Sequence, residues 1–411
     1  MKKTIMNKSK SVCRFIAGIY LALGLMLSCS EPPDEGVQED ISDTSGELND
    51  LYNYLLSAPG GKARNDPVDV KMENIQLTEL NYLEMLTIFE KVGKYINLDL
   101  SECDFSNSYY SSTGGLNRSR SFNPMPSVST GKSRIVSLVL PAVSTAIYDN
   151  FTYFDSLRTV SGESVTTISS SAFNNLTTLT SVSFPRASSI GSSSFTNCTN
   201  LIGISLLASA TITGNPFAGC PLLVFNVIGT GVLSTKEEGR ILLRNETELV
   251  SYPSASGIIS LDYVTSLGQN CLSKAPITEA VFENVITVNT YAFYYCTSLT
   301  TVSLPKAVSL GNYVFYISTN LKELVIPSVQ EIGYYAFGYL ESAPIVITLG
   351  KKAPESIGTN LFGSTSTAIN IMLKVPSDAE GYDDDWIDVF RGKGTSGTGI
   401  ANENITVSIE E

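Results

Sequence analysis

The chain contains no histidine. Ser-His-Asp chemistry, imidazole general bases and zinc sites with imidazole ligands are therefore closed to it. Seven cysteines remain as soft ligands or nucleophiles. Three of them, Cys198, Cys220 and Cys296, each follow a phenylalanine by three residues. Stacked equivalents in a repeat point the same way and surround no common centre, so they read as buried small thiols. A Cys198–Cys220 disulfide between neighbouring units is the other reading, in an oxidising compartment. Gly131-Lys132-Ser133 ends like a phosphate-binding loop, but Pro126 stands where the first glycine is needed. No G-x-S-x-G elbow occurs. Asp383-Asp384-Asp385 with Asp388 lacks the glycine and terminal glutamate of a calcium loop and reads as a solvated cap loop. Carboxylate pairs for glycoside hydrolysis are a matter of spatial distance, and no feature favours them. No catalytic residue, metal site or cofactor is assigned, and an enzyme is only the third hypothesis.

Tyrosine carries more information. Eight of the 20 tyrosines fall between Tyr291 and Tyr339. Tyr291, Tyr313 and Tyr335 stand two residues before Phe293, Phe315 and Phe337. Tyr294 and Tyr316 stand one residue after such a phenylalanine, and Tyr295 and Tyr339 two after. Earlier in the chain Ser171, Ser193 and Asn215 occupy the first of these positions. If the phenylalanine and its small neighbour point inward, the tyrosines point out. Columns of outward tyrosine make a rigid amphipathic surface suited to protein or glycan contact. They also shield the edge of a stack, and both readings stand at this point.

The elements that would position these columns follow from a period. Phenylalanine recurs every 22 residues at Phe151, Phe173, Phe195 and Phe217, and again at Phe293, Phe315 and Phe337. Leucine does so at Leu157, Leu179 and Leu201, then at Leu299 and Leu321. A fixed period of this length marks a solenoid. Within one unit Val302 and Leu304 alternate as a strand does, Pro305 ends the strand, Gly311 opens a turn, and Phe315 fills the interior. One coil cannot bury its apolar side alone. Stacking coils about 4.8 Å apart joins the strands into a parallel sheet and the apolar positions into columns. The expectation is a β-rich solenoid with one curved sheet.

The pattern L-x-x-V-x-L-P-x-x-V-x-L-G-x-x-x-F resembles the BspA-type (Treponema pallidum-type) leucine-rich repeat family. The resemblance covers about residues 135–375, within a solenoid placed at 134–375. Cys271 is read as standing where a phenylalanine belongs. Residues 224–257 break the period, and the apolar runs flanking Asn245-Glu246-Thr247-Glu248 predict a β-hairpin insertion there. The full reading is a leucine-rich repeat solenoid of period 22, with a small α+β N-terminal cap and a β C-terminal cap. In the N-terminal cap and loop, 44–133, one helix starts at Thr44 with Leu48, Leu51, Tyr52, Leu55 and Leu56 on a face. A second spans about Thr78 to Val92 with Leu80, Leu83, Leu86 and Phe89 on a stripe and Gly93 as cap. Val68, Val70 and Met72 alternate as a short strand, Tyr95–Ser101 reads as another, and 106–133 reads as a long surface loop. The C-terminal cap spans 376–411, with Ile405, Val407 and Ile409 as a last strand.

Of the 411 residues, 43% are hydrophobic and 16% charged, enough apolar material for a large core and too little charge for a disordered chain. Acidic residues outnumber basic ones 40 to 27, which disfavours a nucleic-acid partner. Residues 1–14 carry five basic residues and no acid, and an apolar run from Phe15 to Leu27 follows. That run is too short for a membrane span and suits a signal peptide over residues 1–28. Ser28-Cys29 directly after it resembles the lipobox of bacterial lipoproteins, with Met26 where leucine is usual. That resemblance implies Cys29 as the lipid attachment site. An ordinary signal peptide with an incidental cysteine is the alternative. Cys13 would leave with the peptide, and the net charge would move from −13 to −18. Residues 29–43 form an acidic tether, and Ser30–Glu35 resembles the signal that sends Bacteroidota lipoproteins to the outer face of the outer membrane. The functional expectation is a non-catalytic, surface-tethered binding or adhesion lipoprotein. Its partners would be host or microbial surface proteins or glycans. The alternative is an accessory glycan-capture lipoprotein of a nutrient uptake system.

Overall fold

The computed structural model describes residues 4–5, 44–105, 121–340, 344–363, 369–391 and 405–410. Cys29, the tether and nearly all of the signal segment lie outside them. Among the described residues no helix is long and apolar enough to cross a membrane.

Helix α1 (Thr44–Ser57) buries Leu48, Leu51 and Leu55, while Leu56 is exposed. Helix α2 (Glu79–Val92) begins at a reciprocal cap: the Asn81 amide donates to Thr78 Oγ1 (3.0 Å) and the Thr78 amide to Asn81 Oδ1 (2.7 Å). It ends at Gly93, φ 71°. The buried stripe of α2 is Tyr82, Met85, Leu86 and Phe89. Leu80 and Leu83, expected inside, are half-buried, because the helix is rotated to aim the Tyr82 ring at Phe122 (5.7 Å between centroids).

From this cap runs a parallel ladder: Val68–Leu77, Ile96–Phe105, Ile135–Val139, Thr159–Ser161, Ser181–Ser183, Gly203–Leu207 and Val224–Ile228. Thr4–Ile5 pairs with Lys71–Met72 at its outer edge. A second ladder of two-residue strands lies on another side of the coils, at Ser121–Phe122, Ala146–Ile147, Thr167–Ile168, Ser189–Ile190 and Thr211–Ile212. The expectation of one curved sheet is therefore incomplete. The short segment before each turn glycine also pairs from coil to coil. Ser121–Phe122 belongs to this ladder and Phe122 is fully buried, so that end of the expected 106–133 loop is solenoid wall.

The later coils repeat the arrangement. One ladder runs through Gly257–Ser260, Ile277–Val281, Thr301–Ser303, Glu323–Val325, Ile345–Thr348, Ile369–Lys374 and Ile405–Glu410. The other runs through Ser266–Leu267, Thr287–Val288, Ser309–Leu310, Glu331–Ile332 and Ser356–Ile357. All seven register phenylalanines are buried. Their rings stack along the axis: Phe151–Phe173 4.7 Å, Phe173–Phe195 5.1 Å, Phe195–Phe217 5.7 Å, Phe293–Phe315 5.2 Å and Phe315–Phe337 6.0 Å. Phe122 and Phe362 extend the column at either end.

The period breaks after Val224–Ile228, which still pairs with Gly203–Leu207. Leu233–Lys236, Ile241–Arg244 and Glu248–Ser251 form an antiparallel meander, and Glu248–Ser251 then pairs in parallel with Ser266–Leu267. Asn245 and Glu246 turn the hairpin with φ of 50° and 64°. The hairpin is therefore a plug between two cores. Leu242 and Val250 pack into the earlier hydrophobic cluster, and Ile241, Leu243 and Leu249 into the later one.

One further correction concerns register. The amides of Asn270, Leu272 and Lys274 donate to the carbonyls of Thr290, Ala292 and Tyr294. In the next coil Tyr291, Phe293 and Tyr295 make the same bonds to Asn312, Val314 and Tyr316. Leu272, not Cys271, thus occupies the phenylalanine position, and Cys271 takes the small site before it. At the C-terminal end, helix α3 (Asp384–Phe390) is capped by the Asp383 carboxylate, which accepts from the Trp386 amide (2.9 Å). The acidic run is thus a helix start, and Asp384 and Asp385 lie where the helix dipole favours them.

Candidate functional site: a stacked tyrosine face

Six of the coils turn sharply around the inward aromatic or Leu272, and two residues of each such turn are left-handed. They are the residue two before the inward aromatic and the residue two after it. In the earlier coils these are Ser171 (φ 61°), Asn175 (64°), Ser193 (58°) and Asn197 (61°); around Phe151 and Phe217 only the later position is left-handed, at Tyr153 (69°) and Gly219 (74°). Asparagine suits this conformation and serine is small. In the later coils the same positions hold Tyr291 (62°), Tyr295 (60°), Tyr313 (55°), Ile317 (60°), Tyr335 (53°) and Tyr339 (57°). For a bulky side chain such a backbone costs about 1 kcal/mol or more per residue.

The rings partly offset that cost by stacking. Tyr291 and Tyr313 lie 4.9 Å apart with planes 16° from parallel, and Tyr313 and Tyr335 lie 5.4 Å apart at 23°. A second column stacks Tyr294 on Tyr316 (5.9 Å, 14°). Edge-to-face contacts tie the columns together: Tyr291–Tyr294, Tyr313–Tyr316 and Tyr316–Tyr339, at 5.4, 5.3 and 5.1 Å. Tyr295 and Tyr339 are exposed, and Tyr291, Tyr294, Tyr313, Tyr316 and Tyr335 are half-buried by one another. All seven tyrosines singled out by spacing therefore fall on one outward face.

Tyr334 joins them, and spacing did not single it out because the two preceding coils have Thr290 and Asn312 at that position. Its ring lies 4.3 Å from Tyr335 and 5.5 Å from Tyr313. Its hydrogen bond to the Tyr335 hydroxyl, followed by desolvation, raises the Tyr335 pKa above the ordinary phenol value. Tyr313 and Tyr316 are raised chiefly by desolvation among the neighbouring rings. The face is neutral at physiological pH and offers phenol rings with hydroxyl tips, a chemistry of contact and hydrogen bonding.

The other residues with chemical potential are structural. Cys103, Cys198, Cys220, Cys271 and Cys296 are free, buried thiols. Cys198 Sγ donates to Phe173 O (3.0 Å), Cys220 Sγ to Phe195 O (3.0 Å) and Cys296 Sγ to Leu272 O (3.1 Å). Ser318 in the same column donates to Phe293 O (2.8 Å). In these four coils the column supplies a side-chain donor to a carbonyl of the preceding coil, while Leu176, Ala275 and Leu340 fill the same position elsewhere. Among the described residues no group of three or more cysteines and carboxylates could hold a metal. Lys132 does not reach solvent: its ammonium donates to the Met125 and Thr152 carbonyls beside the Phe154 ring. Gly131 before it (φ 69°) lies against the Leu86 carbonyl, where a Cβ would sit 1.9 Å from the oxygen. That segment is a tight turn, not a phosphate loop.

The fold is a leucine-rich repeat solenoid that carries an outward aromatic face. Residues 130–235 and 254–344 match the BspA type leucine rich repeat region in six copies. No curated protein matches the chain significantly. Among solved structures it is similar to the pneumococcal vaccine antigen PcpA, at 17% identity and TM-score 0.47, over 71% of this chain and 83% of that one. It is also similar to a leucine rich cell surface protein from Faecalibacterium prausnitzii, at 19% identity and TM-score 0.40, over 56% of this chain and 80% of that one. A third is a leucine-rich repeat protein from Bacteroides ovatus, at 16% identity and TM-score 0.36, over 68% of this chain and 61% of that one.

Proposed function

We propose that this protein is a non-catalytic binding or adhesion protein, displayed at the cell surface, whose tyrosine face docks a host or microbial surface protein or glycan. The observation that carries the reading is the placement of five tyrosines at left-handed positions in three successive coils, where the coils of Phe173 and Phe195 have serine and asparagine. The backbone gains nothing from that choice. Rigid amphipathic rings bury contact area at low entropic cost, which is why tyrosine is enriched in binding surfaces. Display would come from the N-terminal segment: lipidation at Cys29, the acidic tether as a spacer, and the outer face of the outer membrane as the address.

The test is binding of the chain from residue 30 onward to a mixed array of matrix proteins and polysaccharides, wild type against Tyr291→Ser/Tyr313→Ser/Tyr335→Ser. Loss of the array hits with retained folding supports the reading, and unchanged binding removes the face from consideration. An accessory glycan-capture lipoprotein of a nutrient uptake system is the second reading. It is favoured by a polar trough that adjoins the tyrosine face.

A further inference from the structure

The tyrosine columns stop abruptly at Tyr294. The position directly after the inward aromatic holds Tyr294 and Tyr316 in the later coils. In the four coils before them it holds Asn174, Thr196, Ala218 and Ser273, all shorter side chains. The surface therefore drops by the height of a phenol ring, and a groove of about 300 Å³ opens along these coils with Tyr294 at its end. One face of the Tyr294 ring is covered by Tyr316, stacked at 14°. Tyr291 meets the ring edge-to-face (5.4 Å), and the preceding coil has Ser273 at the equivalent position, so no ring continues the stack on that side.

The floor carries polar atoms with nothing to bond. Thr196 is only 8% exposed, and its Oγ1 has no partner among the described residues; neither has the buried Asn174 Oδ1. Both line the trough. A buried polar group left unpaired is destabilising, and native folds rarely keep one without a use. On the rim, Asn197 Nδ2 donates to Asn175 Oδ1 (2.7 Å). That bond leaves a donor at Asn175 Nδ2 and an acceptor at Asn197 Oδ1, at the two ends of one amide pair. Lys274, exposed and without an ion pair among the described residues, is the one charged residue lining the trough.

We infer that this trough is a carbohydrate-binding subsite. The Tyr294 ring takes the C–H face of a pyranose, and the Asn175–Asn197 amide pair takes its hydroxyls, over a floor that holds the buried Thr196 and Asn174 oxygens. A sugar fits better than a peptide side chain, because the floor and rim hold amides and hydroxyls and nothing more apolar than Ala218 beside the single ring. The inference deepens the binding reading above, but it shares with the tyrosine face only Tyr294.

The experiment screens the chain from residue 30 onward on an array of neutral and uronic-acid oligosaccharides. Each hit is then titrated by calorimetry against wild type, Ser273→Tyr and Asn197→Gly. Ser273→Tyr fills the trough with a ring at a position where Tyr294 and Tyr316 show the backbone tolerates one. Asn197→Gly removes the amide but keeps the left-handed turn, as Gly219 (φ 74°) does one coil later. The expected result is at least one hit whose affinity falls about tenfold or more in both variants, with melting temperatures close to wild type. No sugar hit on the array, or binding unchanged in both variants, overturns the subsite. Binding that survives Ser273→Tyr but is lost in Tyr291→Ser/Tyr313→Ser/Tyr335→Ser places the sugar on the tyrosine face, and that also overturns it. The reverse pattern sinks the tyrosine face and leaves the trough standing.

Discussion

Tyr291 and Tyr313, one coil apart, stack at 4.9 Å although the backbone of each is left-handed, at φ 62° and 55°. The two facts have opposite signs in energy. A left-handed tyrosine costs about 1 kcal/mol or more, and an aromatic pair returns about 0.5–1.5 kcal/mol. The stack therefore roughly cancels the strain it sits on, and stability gives little reason for tyrosine there.

From that near-cancellation comes the first prediction. The triple variant Tyr291→Asn/Tyr313→Asn/Tyr335→Asn should unfold within about 2 kcal/mol of wild type, because asparagine relieves the turn while the stacking is lost. Its binding to any partner of the tyrosine face should be abolished. Denaturant melts and a binding assay on the same samples check both halves. Destabilisation well beyond 2 kcal/mol would make the tyrosines structural.

The phenylalanine column should be more sensitive, and unequally so. Phe195 is fully buried between Phe173 and Phe217. Phe195→Ala opens a cavity and should cost about 3–5 kcal/mol. Phe195→Leu should cost about 1–2 kcal/mol, since Leu272 already fills the equivalent site in its own coil. Equal losses in urea denaturation would mean that the column does not work as an interior packing site.

Cys296 donates to Leu272 O at 3.1 Å, and Ser318 serves the next coil in the same way. Cys296→Ser should therefore be tolerated better than the near-isosteric Cys296→Val, reversing the usual order at a buried cysteine. Valine removes the side-chain donor while Leu272 O keeps the Ala275 amide (3.1 Å), so the gap should be about 0.5–1.5 kcal/mol, the net worth of one hydrogen bond. Thermal denaturation of the two variants decides it, and a more stable valine variant removes the hydrogen-bonding role.

How much of this was legible in the sequence follows from the physics of repeats. Phe151 through Phe217 and Phe293 through Phe337 betray the solenoid because every coil solves the same packing problem with the same residue. The slip at Cys271 and Leu272 is hidden, since a coil one residue shorter keeps its hydrogen bonds while its residues leave the arithmetic register. Leu80 and Leu83 of α2 are equally good candidates for the core as Tyr82 and Met85. Only the position of Phe122, itself inside a stretch that reads as loop, selects between them. The tyrosine columns announced themselves by spacing. The trough did not, because Asn174, Thr196, Ala218 and Ser273 share shortness and no chemistry, and Tyr334 is not repeated in the neighbouring coils, which have Thr290 and Asn312 there.

Lys132 gives a prediction in pH. Its ammonium is fully buried and bonded to two carbonyls, and no carboxylate pairs with it among the described residues. Desolvation brings its pKa down from 10.5 to about 8. Below pH 8 the amine is charged in both folded and unfolded chains, and the fold carries the whole cost of burying that charge. Between about pH 8 and 10.5 the folded amine has lost its proton while the unfolded one still holds it. The unfolded state then binds more protons, so this residue's contribution to stability rises with pH, by up to about 3 kcal/mol. The raised pKa values of Cys271, Cys296 and Tyr252 act the other way, destabilising the fold as pH climbs past the values of their unfolded forms. They are common to wild type and Lys132→Met and cancel in the difference. Lys132→Met should therefore gain most over wild type near pH 7, or lose least, and that difference should shift in favour of wild type as pH rises from 8 to 10. Paired melts at pH 7, 8, 9 and 10 measure it. A difference that stays flat across the series would mean that Lys132 remains protonated in the fold and that the two carbonyls solvate it as well as water does.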